Sequence, residues 1–371
     1  MLEPGKQEEL KPLVVAALAL PPPVNGQSII NASVIRGLEA STSVKLKLVD
    51  TSPRSQRRTL GYHLRRLTAV CSVPFVLGAN ARRKGRSFYT VIEPGHGMWY
   101  SFFLIAFART FGFGLILHHH ASSYAKKYDG RFAALCAMAG KRAVHVALCE
   151  QMATDLMSNY PRVRQVLVSH NACHIPIPQI SDARERFPGL TIGFLSNLSP
   201  EKGLDTVLDT FTAICSKGVM ARLLLGGPIV DDRARDLIEH ARAQFRGSII
   251  ELGALSGEGK DSFFREIDLF LFPTRYRFEA QPLVILEALS YGVATLATRH
   301  GYIAEIVEPL GTAFEASEFE VFATQFVESW TNRPGFAAAQ RKAARARFEQ
   351  LAESSRREQQ QLYLRLSCAP F

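Results

Sequence analysis

The sequence predicts an α/β protein with two domains, each built around a parallel sheet. Short apolar runs that are typical of buried strands alternate with amphipathic helical patterns along most of the 371 residues. This alternation is interrupted at 174–189 by Pro176, Pro178 and Pro188-Gly189, which we interpret as a linker. A chain of this length exceeds the usual size of one domain, so two hydrophobic cores are expected.

Both halves of the chain repeat the same rhythm of strands separated by helices. In the first half the predicted strands are 13–20, 88–92, 114–118, 144–148 and 166–168. In the second half they are 190–195, 221–226, 249–252, 269–272 and 294–297, and a helix near 204–214 is amphipathic. We therefore expect domains at 1–180 and 190–345, and then a C-terminal helix at 346–371 that packs back on the first domain.

The composition is that of a soluble globular protein, with 47% hydrophobic and 21% charged residues. The apolar run at 13–20 follows an acidic leader and ends in three prolines, which favours a buried strand over a signal peptide. We therefore expect a cytoplasmic location. The six cysteines are scattered and form no C-x-x-C pair, so neither disulfide bonds nor a zinc site is expected.

Positive charge is concentrated in the first half of the chain. Residues 1–180 contain 22 lysines and arginines against 9 acidic residues. A helical face at 60–71 is apolar and is flanked by four basic residues, namely Arg57, Arg58, Arg65 and Arg66. Such a helix fits an anionic membrane surface on the acceptor side of the protein. A solvated face is one alternative; nucleic acid is the other, but the sequence has no nucleic-acid-binding motif and we expect no such partner.

The strongest local signal for function follows the predicted strand 269–272 and reads FEAQPLVILEAL. Loops beyond the carboxyl ends of parallel strands bind ligands, and the next helix presents free amides, here near Gln281 and Leu283. Glu279 and Glu287 are eight residues apart, about 80° around a helix, so both can face one ligand. Carboxylates accept paired hydrogen bonds from the vicinal diols of a ribose or a hexose. Two solvated surface carboxylates are the alternative interpretation.

A second signal, GFLSNLSPEKG at 193–203, places a lysine where a strand runs into a helix. The amino end of a helix favours anions, so Lys202 is a candidate ligand for a diphosphate. Gly227 lies in the turn after the next strand and faces the same edge of the sheet. An ordinary exposed lysine is the alternative interpretation of this motif.

Together these motifs resemble glycosyltransferase family 4, whose members are retaining enzymes with the GT-B fold. The resemblance covers about 190–310 and is carried by GFLSNLSPEKGLDTVLDTF, ARLLLGGP and FLFPTRYRFEAQPLVILEALSYGVATLATRHGYIAEIV. It implies two Rossmann-like domains facing a cleft and a nucleoside diphosphate sugar as donor. By resemblance, Lys202 binds the donor diphosphate, Glu287 holds the nucleotide ribose, and Glu279 contacts the donor sugar as a catalytic residue.

One position departs from the pattern of that family. The family usually has an arginine that gives the diphosphate a second cation, and Asn197 stands at the matching place. Asn197 remains a candidate donor-binding residue. Compensation of the diphosphate charge then falls to Lys202, to amides of the following helix, or to Arg275 or Arg277.

The first half resembles the family more loosely. PPVNGQS, after the first predicted strand, resembles the glycine-bearing loop near the donor phosphates and makes Gly26 a candidate, although a simple turn capped by Ser28 is an equal alternative. HHH resembles the strand end that carries an active-site histidine. Because side chains alternate along a strand, His118 and His120 share a face, and His120 is the candidate catalytic residue. A metal cluster is the alternative.

The sequence contains no D-x-D pair, the divalent-metal ligands of the other large glycosyltransferase fold. We therefore expect no cofactor and no metal, with the leaving nucleoside diphosphate stabilised by Lys202 and backbone amides. The expected function is transfer of a hexose to a lipid-linked or surface-polysaccharide acceptor at the inner face of a membrane. A non-catalytic GT-B protein that binds nucleotide sugars and a periplasmic-type binding protein are the alternatives.

Overall fold

The computed structural model describes residues 11–41, 43–55, 59–179 and 187–367. The chain divides into two compact units: unit 1 is Met1–His174 with Ser354–Phe371, and unit 2 is Ile175–Glu353. Each unit holds one six-stranded sheet in which neighbouring strands pair in parallel. The prediction of two α/β units with parallel sheets is therefore confirmed.

Unit 1 is a sheet with helices in its crossover connections. Its strands are β1 (Leu13–Leu18), β2 (Lys45–Asp50), β3 (Arg86–Ile92), β4 (Gly114–His119), β5 (Val144–Ala147) and β6 (Gln165–Val168). Its helices are α1 (Gly26–Ala40), α2 (Leu60–Ala79), α3 (Met98–Thr110), α4 (Ser123–Lys126), α5 (Gly130–Ala139) and α6 (Glu150–Asn159). The strand order is β2-β1-β3-β4-β5-β6. Every residue of β1, β4 and β5 is buried, as expected for parallel strands covered on both faces.

Unit 2 repeats this plan. Its strands are β7 (Leu190–Leu195), β8 (Ala221–Gly226), β9 (Ile249–Gly253), β10 (Leu269–Phe272), β11 (Ala294–Thr298) and β12 (Ala313–Phe314). Its helices are α7 (Leu204–Ser216), α8 (Asp232–Gln244), α9 (Gly257–Glu266), α10 (Leu283–Ser290), α11 (Ala304–Val307) and α12 (Phe319–Asn332). A last helix, α13 (Phe336–Ser367), begins in unit 2 and continues into unit 1. The described residues include no helix long and apolar enough to cross a bilayer.

Two strands were not predicted from the sequence. β2 has the sequence KLKLVD, stands at the edge of its sheet and keeps its residues partly exposed, so it lacks the continuous apolar run of a central strand. β12 is only two residues long. By contrast, the apolar residues predicted for the amphipathic helix α7 are buried in the structure, namely Leu204, Val207, Leu208, Phe211 and Ile214.

The strand order of unit 2 reverses between β7 and β10. The order is β12-β11-β10-β7-β8-β9, so the connections after β7 and β10 lead away in opposite directions. In open α/β sheets, ligands bind at such a switch point, outside the carboxyl ends of the strands. The two predicted donor loops, 196–203 and 273–282, are the loops that follow these two strands.

A glycine allows these two loops to touch. Gly203 has φ +90, and a Cβ built on it would lie 2.3 Å from the carbonyl oxygen of Pro273. Next to this contact, the Arg275 N–H donates a hydrogen bond of 2.9 Å to the carbonyl of Glu201. The loop after β7 is thereby fixed against the loop after β10.

We expect Gly203→Ala to lower the melting temperature more than Gly218→Ala. Gly218 also has a positive φ, +80, but a Cβ added to it would meet nothing within 4 Å, so it isolates the cost of left-handed backbone. That cost is about 1–2 kcal/mol for a residue with a Cβ, or a few degrees in Tm for a domain of this size. Gly203→Ala adds the collision with Pro273 and should shift Tm by at least about twice as much. Equal shifts in thermal denaturation would contradict this account of the loop contact.

Candidate functional site

Lys202 lies in a short turn between β7 and α7. The hydroxyl of Ser199 accepts a hydrogen bond of 3.3 Å from the Lys202 amide, which caps this turn. The Lys202 Nζ atom lies 2.5 Å from Oε2 of Glu279 and 4.3 Å from the centre of the Tyr276 ring. Both charged side chains are mostly buried, with 19% and 12% of their surfaces exposed. The structure thus brings together two of the predicted site residues, which are 77 positions apart in sequence.

The loop that carries Glu279 is held by the last residue of β11 and by the segment that follows it. The hydroxyl of Thr298 donates a hydrogen bond of 2.7 Å to the Thr274 carbonyl, and the Tyr302 amide donates one of 3.0 Å to the Ala280 carbonyl. Gly301 approaches so closely that a Cβ would lie 2.2 Å from the Glu279 carbonyl oxygen. These backbone contacts fix the position from which the Glu279 side chain reaches Lys202.

Glu287 lies in α10 and is paired with a lysine that sequence reasoning missed. The Nζ atom of Lys260, in the first half of α9, lies 2.6 Å from the Glu287 carboxylate. The sequence signal for this residue was weak, because SGEGK follows a strand and a glycine turn but matches no motif. Only the fold shows that Lys260 of α9 lies against Glu287 of α10, which is 27 positions later in the sequence.

Gly227 and Asn197 lie at the same edge of the sheet. Gly227 has φ +122, and a Cβ on it would lie 1.7 Å from the carbonyl oxygen of Ser196, so the turn after β8 requires glycine. The Gly227 amide donates a hydrogen bond of 2.6 Å to the Gly253 carbonyl, which joins the turns after β8 and β9. Asn197 is exposed beside this junction.

Gln281 and Leu283 stand at the amino end of α10, separated by Pro282. Both residues are buried, and the helix begins directly after the loop that holds Glu279. Arg275, one candidate for the second cation, is engaged elsewhere, because its guanidinium pairs with Asp205 at 2.7 Å and donates to the Pro200 carbonyl. Arg277 is exposed, and its guanidinium lies 4.5 Å from the ring of the adjacent Phe278.

His120 lies in unit 1 and directly follows β4. The rings of His118 and His120 are 4.3 Å apart, which confirms that these two residues share a face. The His118 Nδ1 atom lies 2.7 Å from the Tyr89 hydroxyl. On the other face, His119 contacts His145 through nitrogens 2.9 Å apart.

The histidines of this cluster are neutral at physiological pH. Burial, with a contribution from nearby His174, lowers the pKa of His120 to about 3. Burial also lowers the pKa of His145 to about 4, and the pKa of His119 falls for the same reason. A metal cluster was the alternative interpretation, but the part of the chain that the structure describes holds no group of three or more possible ligands that could bind a metal ion.

Gly26 is the first residue of α1 and is exposed. The cap of this helix is Asn25, whose side chain accepts a hydrogen bond of 2.9 Å from the Ser28 amide. The Ser28 hydroxyl in turn accepts one of 3.0 Å from the Asn25 amide, so Ser28 completes a capping box rather than capping alone. The capping hydrogen bonds at the start of α1 are therefore made by Asn25 and Ser28, on either side of Gly26.

The basic helix of unit 1 is α2, and its apolar face is exposed as predicted. Leu60 and Leu64 expose 86% and 61% of their surfaces, and Cys71 is also exposed. Arg65 lies on the exposed side of the helix, whereas Arg57 and Arg58 lie outside the described residues.

The placement of Arg66 corrects the sequence interpretation. Its guanidinium forms an ion pair with Glu93, lies 4.5 Å from the centre of the Tyr100 ring and is mostly buried. It is therefore not one of the charges that α2 offers to a surface. The acidic partner was not apparent from the basic segment itself, because Glu93 follows β3, 27 positions away.

Comparison with known proteins connects the second unit to a family. Residues 189–332 match the model of the family described as Glycosyl transferases group 1. Mannosylfructose-phosphate synthase of Agrobacterium fabrum is 27% identical over 130 residues, which cover 33% of this chain and 28% of that protein. The match therefore spans less than a third of the length of that relative.

Two of the solved structures with a similar fold align with most of the chain. Sucrose-phosphate synthase from Thermosynechococcus elongatus superposes with a TM-score of 0.67 at 15% identity, covering 95% of this chain and 99% of that chain. The Anabaena protein HepE, in complex with UDP, superposes with a TM-score of 0.61 at 13% identity, covering 94% and 100%. Together with the two parallel sheets, these similarities establish the GT-B fold.

The neutral histidines predict a pH dependence of stability. An unfolded histidine takes up a proton near pH 6.5, whereas the buried ones resist protonation until about pH 4 or below. The unfolded chain then binds more protons, so stability should fall as the pH drops from about 6.5 toward 4, by up to about 1.4 kcal/mol per pH unit for each histidine. We expect Tm to decline over this range and His145→Gln to flatten the decline. His63→Gln, at an exposed position, is the control and should leave the decline in Tm unchanged. An unaltered decline in His145→Gln would contradict the assignment of His145 as a buried, uncharged histidine.

Proposed function

We propose that this chain is a retaining glycosyltransferase that moves a hexose from a nucleoside diphosphate sugar to an acceptor, because residues 189–332 match the glycosyl transferases group 1 family. The observation that carries the proposal is the meeting of Lys202 and Glu279 where the strand order of unit 2 reverses. The complex of the structural neighbour HepE with UDP supports a donor of this class.

In the proposed donor complex, Lys202 binds the diphosphate and Glu279 accepts hydrogen bonds from hydroxyls of the donor sugar. An ammonium group has three N–H donors, so Lys202 can contact a phosphate oxygen while it remains beside Glu279. Glu287 accepts hydrogen bonds from the ribose. The amides at the start of α10, near Gln281 and Leu283, and the turns at Asn197 and Gly227 complete the donor side.

We assign His120 to the reacting sugar and propose that Gly26 lies near the donor phosphates. A neutral imidazole carries one N–H donor and one acceptor nitrogen, which suits an uncharged hydroxyl group. As the glycosidic bond breaks, negative charge develops on the leaving nucleoside diphosphate, and Lys202 with oriented amides stabilises it. The proposal includes no metal and no cofactor in this step, since the sequence has no D-x-D pair.

For the acceptor we propose a lipid-linked or surface polysaccharide at the cytoplasmic face of a membrane. The exposed apolar face of α2 carries Leu60, Leu64 and Leu67, with Arg65 alongside. An amphipathic helix of this kind binds an anionic interface through apolar burial and charge attraction. The protein would then be peripheral to the membrane rather than embedded in it.

A nucleotide-sugar-binding protein without catalysis is the second candidate, and Asn197 is the observation that favours it. Where the resembling family has a second cation for the diphosphate, this chain has an amide side chain. Such a protein would bind the nucleotide sugar but would release neither free sugar nor a glycosylated product.

We expect Lys202→Ala to weaken use of the donor by about 10- to 150-fold, since a hydrogen bond to a charged group contributes roughly 1.5–3 kcal/mol. The donor is first identified by thermal-shift screening against UDP-, GDP-, ADP- and TDP-sugars, and calorimetry then gives its affinity. Lys217→Ala is the matched control, because Lys217 also pairs with a glutamate at 2.5 Å but follows the carboxyl end of α7, away from this site. Unchanged turnover in Lys202→Ala would remove Lys202 from the donor site, and binding without transfer in the unmodified protein would favour the second candidate.

Membrane binding should depend on the exposed leucines of α2. We expect the double variant Leu60→Gln and Leu64→Gln to reduce cosedimentation with vesicles rich in phosphatidylglycerol by at least roughly tenfold, because each leucine side chain contributes apolar burial at the interface. Val321→Gln is the control, since Val321 is similarly exposed but lies in unit 2. Equal binding to neutral phosphatidylcholine vesicles, or no effect of the double substitution, would contradict this part of the proposal.

A further inference from the structure

The ion pair between Lys260 and Glu287 has the chemistry of a site for a vicinal diol. Lys260 Nζ lies 2.6 Å from each of the two carboxylate oxygens of Glu287. The two side chains are 23% and 17% exposed, so the pair is largely withdrawn from water but remains reachable by a ligand. A lysine and a glutamate held in this way are costly to separate, because loss of one leaves the other charge poorly solvated.

The position of Lys260 is fixed through the rest of α9. The next residue, Asp261, accepts hydrogen bonds from Arg265 at 2.8 Å and from the hydroxyl of Tyr291, which directly follows α10. The Tyr291 ring also stacks on Phe264 with ring centres 5.5 Å apart. These contacts fasten α9 to the end of α10, the helix that carries Glu287.

A glycine in β7 sets how closely α9 packs on the sheet. A Cβ on Gly193 would lie 2.7 Å from Cδ1 of Ile267 and 2.8 Å from the ring of Phe263. Phe263 lies in α9 and Ile267 directly follows it, so the helix packs against the central strand β7. The lysine is therefore carried by a helix that is anchored on both the sheet and α10.

We propose that Lys260 is a positioning and specificity residue of the donor site, and that with Glu287 it selects a ribonucleotide donor over a 2′-deoxyribonucleotide. This inference rests on the proposed function. A hydroxyl group offers one O–H donor and two acceptor lone pairs. The carboxylate accepts the O–H groups of a ribose diol, while the ammonium orients the carboxylate and donates to a hydroxyl oxygen. A carboxylate alone can accept the O–H groups of the diol, but it cannot donate a hydrogen bond to their oxygens.

The proposal has a direct consequence for donor choice. A site built to hydrogen-bond a substrate hydroxyl rejects the analogue that lacks it, because buried polar groups then lose their partner. Donors that carry a 2′-hydroxyl, such as those based on UDP, GDP or ADP, should bind well. Donors based on deoxythymidine diphosphate should bind poorly.

The test compares each variant's affinity for a ribonucleoside diphosphate with its affinity for the 2′-deoxy counterpart. The probe is whichever of UDP, GDP and ADP gives the largest thermal shift with the unmodified protein, measured by calorimetry. We expect the unmodified protein to prefer the ribonucleotide by at least about tenfold, and Lys260→Met to reduce this preference by roughly tenfold. Lys260→Arg, which keeps a cationic donor, should restore most of it. Lys217→Met is the control and should keep the full preference.

A merely structural role for Lys260 would weaken both nucleotides equally and leave their ratio unchanged, which would overturn the inference. A strong preference that survives in Lys260→Met but is lost in Glu287→Gln would assign the selection to Glu287 alone and would also overturn it. The proposed function fails separately, if the unmodified protein binds none of the ribonucleotides or their sugars. In that case the proposed selection of a ribonucleotide by Lys260 and Glu287 is overturned as well.

Discussion

The arrangement of unit 2 depends on one close approach, that of the turn at Gly203 to the carbonyl of Pro273. A Cβ at position 203 would lie 2.3 Å from this carbonyl oxygen, so glycine is required for the two loops to approach as they do, with Lys202 2.5 Å from Glu279. Because the strand order reverses between β7 and β10, the connections after these strands lead away in opposite directions. The contact between Gly203 and Pro273 keeps the beginnings of the two loops together. A backbone requirement in one turn thus helps to determine where the Lys202 ammonium lies.

Three cationic side chains at the same edge of unit 2 are paired with carboxylates. Lys202 is paired with Glu279, Lys260 with Glu287, and Arg275 with Asp205. In the proposed donor complex a diphosphate would add negative charge to these pairs, so its binding would depend on N–H donors that the pairs leave unused and on the amides at the start of α10. On the proposed function, this is how a chain with Asn197 in place of an arginine would accommodate the diphosphate.

Sequence reasoning was reliable where a local pattern determines the structure. Buried parallel strands leave continuous apolar runs, and a strand followed by a loop and a helix predicted that Lys202 and Glu279 face the same edge. It was less reliable where the outcome depends on a distant partner. Arg66 appeared to be part of an exposed basic face, but Glu93 withdraws it from solvent. Lys260 had no motif at all, because its pairing with Glu287 depends on how α9 packs on β7 and α10. The edge strand β2 was missed since half-exposed strands lack a strong apolar signal.

The candidate site residues of unit 1 and unit 2 differ in the kind of partner that each side chain has. The charged groups of unit 2 are stabilised by opposite charges, whereas His118 and His119 have as partners the hydroxyl of Tyr89 and the imidazole of His145. Neutral partners in a buried environment cannot compensate a proton, so they favour uncharged imidazoles. His120 is uncharged as well, because burial lowers its pKa to about 3, and it keeps its hydrogen-bonding capacity. In the proposed reaction this suits His120 to the uncharged sugar, whereas the cation that meets the diphosphate is the Lys202 ammonium, which lies beside Glu279.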